Sequence, residues 1–202
     1  LFFSESDHAF YAQKATTEVG AEMITELQNQ VALQKVTADT TAVGAKSQLA
    51  ALSAFLYWVT KDDSYAQDAL FYVKKVLADN DEKWADTKLK GLTSYNMGFL
   101  VAITYDWCYN AASWLNERNL ISQKIKLMAD MIATNGGTEQ NTAKASNWQG
   151  IRAASSLVCY LATDESYSTS NFNLMIKKLT DYITDNYGDS VMSAGWNIEG
   201  LG

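Results

Sequence analysis

The chain has 202 residues and a net charge of −7, with 16 basic against 23 acidic side chains and one histidine. That balance excludes the basic face that non-specific nucleic-acid binding requires. No apolar run is long enough to span a bilayer. Hydrophobic residues make up 48% of the chain, which excludes a disordered segment and supplies a sizeable core, with a single domain expected over 1–202. Proline is absent, a composition that suits long uninterrupted helices.

Seven helices are read in chain order. The first is expected from about Asp7 to Leu33, capped by Ser4 or Ser6. The second, about Thr41 to Thr60, is apolar almost all round. The third follows Asp62-Asp63-Ser64 and carries one stripe: Ala66, Ala69, Leu70, Val73, Val76 and Leu77. The fourth, about Leu92 to Ala112, is again apolar. The fifth follows Ser113, with Ile121, Ile125, Met128 and Ile132 on one face, and is stopped by Asn135-Gly136-Gly137. The sixth covers about Ala145 to Ala162, and the seventh runs from about Ser170 to Tyr187 before Gly188.

A near-repeat organises these helices. Ala51-Leu52-Ser53 leads through Tyr57-Trp58 to Asp62-Asp63-Ser64-Tyr65, and Ala153-Ala154-Ser155 leads through Cys159-Tyr160 to Asp164-Glu165-Ser166-Tyr167. Lys74-Lys75 and Lys177-Lys178 close the two copies. A different hairpin lies between, so the unit is about fifty residues, the mark of stacked helical hairpins that bury one another's apolar faces. Helices apolar all round form an inner layer and striped ones an outer layer. The expected class is all-α, built from helical hairpins; periodicity leaves open whether they curl into a toroid or stack linearly. The glycine-rich tail 192–202 reads as a loop, and the chain reads as part of a longer protein. Its start, Leu1-Phe2-Phe3-Ser4, has no basic region or cleavage site and reads as mature or trimmed.

No catalytic or metal motif is complete: there is no HExxH, P-loop, nucleophile elbow or zinc spacing. No metal or cofactor is expected. His8 reads as a satisfied or exposed histidine rather than a base. Cys108 and Cys159, both in apolar helical segments, read as buried thiols, with a disulfide between inner helices as the alternative. Three stretches stand out. Tyr105-Asp106-Trp107 sets an acid in an apolar helix, where a carboxylate needs a hydrogen-bonding partner. Ser146-Asn147-Trp148-Gln149-Gly150 opens the sixth helix, where asparagine is a natural cap. Gly195-Trp196-Asn197-Ile198-Glu199-Gly200 lies in the tail. The many tyrosines and tryptophans are core residues or stacking platforms for sugar rings.

These three stretches, in this order, resemble the amino-terminal helical domain of the heparinase II/III-like and alginate lyase family, over nearly the whole chain. The resemblance implies an incomplete α/α toroid followed by a β-sandwich, periplasmic or secreted, that cleaves a uronic-acid polysaccharide by β-elimination. It implies Asn147 as the catalytic residue that neutralises the uronate carboxylate. Trp148 would stack on a sugar, Tyr105 and Tyr95 would line the cleft, and Trp196 lies in its loop. Lys144 and Arg152 are the nearest cations for an acidic ligand. Glu199 would orient the loop or bond a sugar hydroxyl. Two features depart from the family: Trp148 stands where many catalytic members have histidine, and the acid/base tyrosine would follow Gly202. The segment alone is therefore expected to be inactive. A glycoside hydrolase with Asp106 and Glu199 as its carboxylate pair, and a non-catalytic scaffold for glycan or protein, are the alternatives.

Overall fold

A computed structural model describes residues 4–37, 43–78, 92–134, 147–163 and 170–187. Eight α-helices occur among them: α1 Glu5–Ala15, α2 Glu18–Thr37, α3 Val43–Thr60, α4 Asp63–Ala78, α5 Leu92–Cys108, α6 Arg118–Thr134, α7 Asn147–Ala162 and α8 Ser170–Tyr187. A short 3-10 turn, Ala112–Trp114, precedes α6. The fold is all-helical, with no strand among the described residues. No helix there is long and apolar enough to cross a membrane.

The one expected helix over 7–33 is two helices, and threonine hydroxyls account for the break. The Thr16 and Thr17 Oγ1 atoms donate to the Gln13 and Lys14 carbonyls at 2.8 and 2.7 Å. These bonds close α1, because short polar side chains compete with the helical ladder. Thr17 Oγ1 in turn accepts the Gly20 N–H at 3.2 Å and so caps α2. At the start of α1 the cap is Ser4, whose N–H donates to Asp7 Oδ2 at 2.7 Å. That bonding holds the Asp7 carboxyl below its ordinary range.

Helix contacts gather into two compact units: residues 1–79 with 100–124, and residues 80–99 with 125–202. Both α5 and α6 contribute residues to each. The first unit is centred on the α3–α4 hairpin. Its turn is set by Lys61, the left-handed residue after α3 (φ 59°), whose N–H returns to the Tyr57 carbonyl at 2.7 Å. Asp62 then caps α4 by accepting the Ser64 N–H at 3.0 Å, which lowers the Asp62 pKa. Trp114 is fully buried, and its Nε1–H donates to the Ala66 carbonyl at 2.8 Å. This bond fastens the 3-10 turn to α4.

The second unit contains the α7–α8 hairpin, packed around Ala133, Ala153, Leu157 and Met175 with Phe172 and Leu179 at the edge. The two copies of the sequence repeat are thus the central hairpins of the two units. Burial follows the expected alternation. In α3, α5 and α7 most described side chains are buried, whereas α4 and α6 bury one stripe and α8 fully buries Met175 alone, with Ile176 and Ile183 exposed. Each inner helix also buries a small hydroxyl residue at a common spacing of about fifty: Ser53, Thr104 and Ser155. Thr104 Oγ1 donates to its own helix at the Leu100 carbonyl (2.7 Å), and Ser155 Oγ donates to the Tyr95 carbonyl (2.7 Å).

Within the second unit α5 and α7 meet at Gly98. A Cβ there would stand 2.7 Å from Ser155 Oγ and 2.9 Å from Ile132 Cδ1. The same approach lets the Cys159 thiol donate to the Gly98 carbonyl at 3.3 Å. Gly98→Ala is expected to lower stability by about 1–3 kcal/mol through overpacking, read as a lower urea midpoint by circular dichroism. An unchanged midpoint would show that the two helices part without strain.

Candidate functional site

Residues expected to share a cleft are distributed over both units. Tyr105 belongs to the first. It is buried edge-on against Tyr109 and Trp114, with ring centroids 5.7 and 6.2 Å away, and its phenol is hydrogen-bonded to Ser122. Burial raises its pKa. Its neighbour Asp106 is half-buried, and the Trp107 Nε1 is buried without a partner among the described residues. His8, in the same unit, packs edge-on against Trp58 at 5.7 Å. The ring is half-buried, and its Nε2 is buried with no hydrogen-bond partner among the described residues.

Asn147, Tyr95, Trp148 and Arg152 belong to the second unit. Asn147 is the first residue of α7 rather than its cap, against an expected start near Ala145. Tyr95 is fully buried and Trp148 is half-buried. Trp196, Glu199 and Lys144 lie outside the described residues.

Arg152 is only 2% exposed. Its Nε donates to the Ile132 carbonyl at 2.7 Å and its Nη2 to the Ala133 carbonyl at 2.6 Å. These are the last carbonyls of α6, groups that a helix leaves without internal partners. The negative end of the helix dipole adds to the compensation of a buried cation. Desolvation nonetheless lowers the Arg152 pKa, and no carboxylate pairs with it among the described residues.

A second cation joins this cluster. Lys178 of α8 donates to Gln149 Oε1 at 3.4 Å, and its pKa is lowered, first by desolvation and then by repulsion from Arg152. Its neighbour Lys177 points elsewhere, to Asp181 at 2.7 Å. Next to Gln149, α7 and α8 meet at Gly150, where a Cβ would stand 2.6 Å from the Tyr182 ring. Only glycine admits this contact between α7 and α8. The arrangement is two cations, the buried Gln149 and aromatic side chains near the start of α7; Asp181 partly offsets the repulsion at Lys178, and no carboxylate pairs with Arg152 among the described residues. An incoming carboxylate would relieve that repulsion further. Arg152 thus serves the helix end with two of its donors, and Lys178 is the half-buried, less enclosed of the two cations. Sequence reasoning missed Lys178, although the signal was present. The Lys177-Lys178 pair closes a repeat in the sequence, yet only Lys178 adjoins the inward side chains Met175 and Leu179.

At the other end of α7, the Tyr160 hydroxyl donates to Asp130 Oδ1, which also accepts Asn171 Nδ2 at 3.0 Å. This carboxylate joins α6, α7 and α8. Burial and Asp130 raise the Tyr160 pKa well above its ordinary value, so the phenol is a structural donor rather than a base. Both cysteines are free and buried, so no disulfide forms. Desolvation raises Cys159 to about 12. Buried thiols of this kind are inert. No group of His, Cys, Asp and Glu among the described residues suits a metal ion.

The structural class is an all-α protein of paired helical hairpins. Comparison with family models, curated proteins and solved structures returns no match.

Two predictions follow from this geometry. Arg152→Met leaves the α6 carbonyls without their donor and is expected to lower stability by about 3 kcal/mol. Arg152→Lys recovers only part of it, because an ammonium cannot reproduce the planar fork; urea titration of both variants measures the difference. The raised pKa of Cys159 favours its neutral form in the folded state. Its contribution is fully present below the unfolded value of 9.0 and is lost as pH rises toward about 12. Thermal midpoints are therefore expected to fall above about pH 9, and less steeply in Cys159→Ala. Parallel curves for the two proteins would remove the thiol as a cause.

Proposed function

We propose that this chain is the helical portion of a polysaccharide lyase-like protein, an incomplete α/α toroid whose second unit takes a uronic-acid residue of an acidic glycan. The reading is supported by the order of the Tyr105-Asp106-Trp107, Asn147 and Glu199-Gly200 motifs, through their resemblance to heparinase II/III-like and alginate lyases. The observation that carries it is the cationic cluster of Arg152 and Lys178 beside the start of α7, in a chain whose net charge is −7. A local positive site of this kind is what an acidic protein needs to hold an anionic sugar.

The chemistry follows from the substrate. The C5 proton of a uronate becomes acidic only when the adjacent carboxylate is neutralised, because the developing enediolate carries added negative charge. In this reading Asn147 donates an amide hydrogen bond to that carboxylate and Lys178 supplies positive charge. Trp148 offers a ring for stacking. Arg152 keeps its donors on α6 and holds the first turns of α7 in register. By the resemblance, the group that removes the C5 proton and protonates the leaving oxygen is a tyrosine beyond Gly202. The reading places the protein in the periplasm or outside the cell, where such polymers occur.

Turnover of a panel of uronate polymers by the full-length protein is expected to produce ultraviolet absorbance from the unsaturated product. Absence of signal on every polymer removes the lyase reading. For the 202-residue chain, Lys178→Ala is expected to weaken binding of trigalacturonate about tenfold, the loss of one charge-assisted hydrogen bond. Affinity is also expected to decline before the pH reaches the 10.5 of an ordinary lysine, because the Lys178 pKa is depressed and the neutral amine does not attract the carboxylate.

A further inference from the structure

The first unit carries a separate groove on α3 and α4. It has a volume of about 740 Å³ and is lined by Lys46, Gln67, Leu70, Phe71, Lys74 and Lys75 among others, a size within the range of pockets for small ligands. No carboxylate lines it among the described residues. Phe71 is 49% exposed, unusual for a phenylalanine on a helix whose other apolar residues are mostly buried. The Lys75 ammonium stands 4.8 Å from the centre of that ring. Lys74 is steadied by Glu117 at 2.8 Å, and an ammonium with one such bond keeps two further donors. Gln67 Nε2 donates to Asp63 Oδ2 at 3.1 Å, leaving its amide oxygen as an acceptor.

We infer that this groove binds the acidic sugar ring of a uronate oligosaccharide, as a second glycan site independent of the α7 cluster. The choice of ligand rests on the acidic-glycan reading; the groove itself is defined within the first unit. A neutral sugar offers C–H faces for Phe71 but no charge for the lysines. A phosphate ion offers charge but no face for the ring. A uronate offers both on one ring, together with hydroxyls for the Gln67 oxygen. The lysine side chains supply apolar stems along the walls and ammonium groups at the rim.

The test is titration of the ¹⁵N-labelled 202-residue chain with trigalacturonate, with maltotriose and inorganic phosphate as controls. Backbone signals of residues 67–75 are expected to shift, and Phe71→Ala and Lys75→Gln are each expected to weaken that response about tenfold. Both side chains are on the surface, and unchanged circular dichroism verifies that the variants fold. The proposal is overturned if those signals stay fixed, if maltotriose or phosphate shifts them equally, or if neither variant weakens the response. Lys178→Ala separates the two sites. Shifts at 67–75 that persist in this variant support the groove whether or not α7 responds. Shifts at α7 alone support the earlier reading and remove this one, and fixed signals at both remove both.

Discussion

A guanidinium shut away from water must be compensated where it sits, and Arg152 meets that requirement at the end of another helix. Its two hydrogen bonds to the Ile132 and Ala133 carbonyls satisfy acceptors that α6 cannot pair internally. The same bonds fix the first turns of α7, and with them Asn147, Trp148, Gln149 and Gly150. They also hold a positive charge near Lys178, whose pKa is depressed first by desolvation and then by that charge. An arginine side chain thus takes the place of solvent at the end of α6.

The hairpins obey a related constraint. An inner helix that is buried on most faces has few places to put a polar atom, so a small hydroxyl finds its partner close by where it has one. Thr104 bonds back to its own helix, and Ser155 crosses to α5 where Gly98 allows the close approach. In the first unit the buried Ser53 hydroxyl has no partner among the described residues. The outer helices need only one apolar stripe. Their polar faces carry surface pairs such as Lys35–Asp68 and Lys177–Asp181, which contribute little to stability.

Charge is distributed against the overall balance. Although acids outnumber bases, lysines collect on α4 around Phe71, and the Arg152–Lys178 pair collects near the start of α7. Net charge sets solubility and the long-range field. It does not set the sign of the potential inside a groove, where the nearest ammonium groups dominate. An acidic chain and an anionic ligand are compatible on those terms.

Apolar spacing and capping residues were sufficient to define the all-α class, the alternation of mostly buried and striped helices, the bounds of α8, the C-terminal end of α7 and the hairpin repeat. Apolar spacing and caps such as Asp62 are local in sequence, so they are visible there. The break at Thr16-Thr17 was legible in principle, since two adjacent threonines compete with the helical ladder, but hydrophobic spacing hid it. The role of Arg152 was not legible, because its partners are backbone carbonyls about twenty residues away, and carbonyls carry no residue-type signature. Tyr105 and Tyr95 look alike as aromatic candidates in sequence, yet they belong to different units. Lys177 and Lys178 are adjacent and chemically identical; helix geometry pairs Lys177 with Asp181 four residues on, whereas packing against α7 brings Lys178 to Gln149. Sequence by itself determined which helices form and which faces are apolar, because those depend on neighbours three or four residues away. Tertiary structure decided which charges are desolvated and which donors are already engaged, because those depend on groups brought together only when the helices pack.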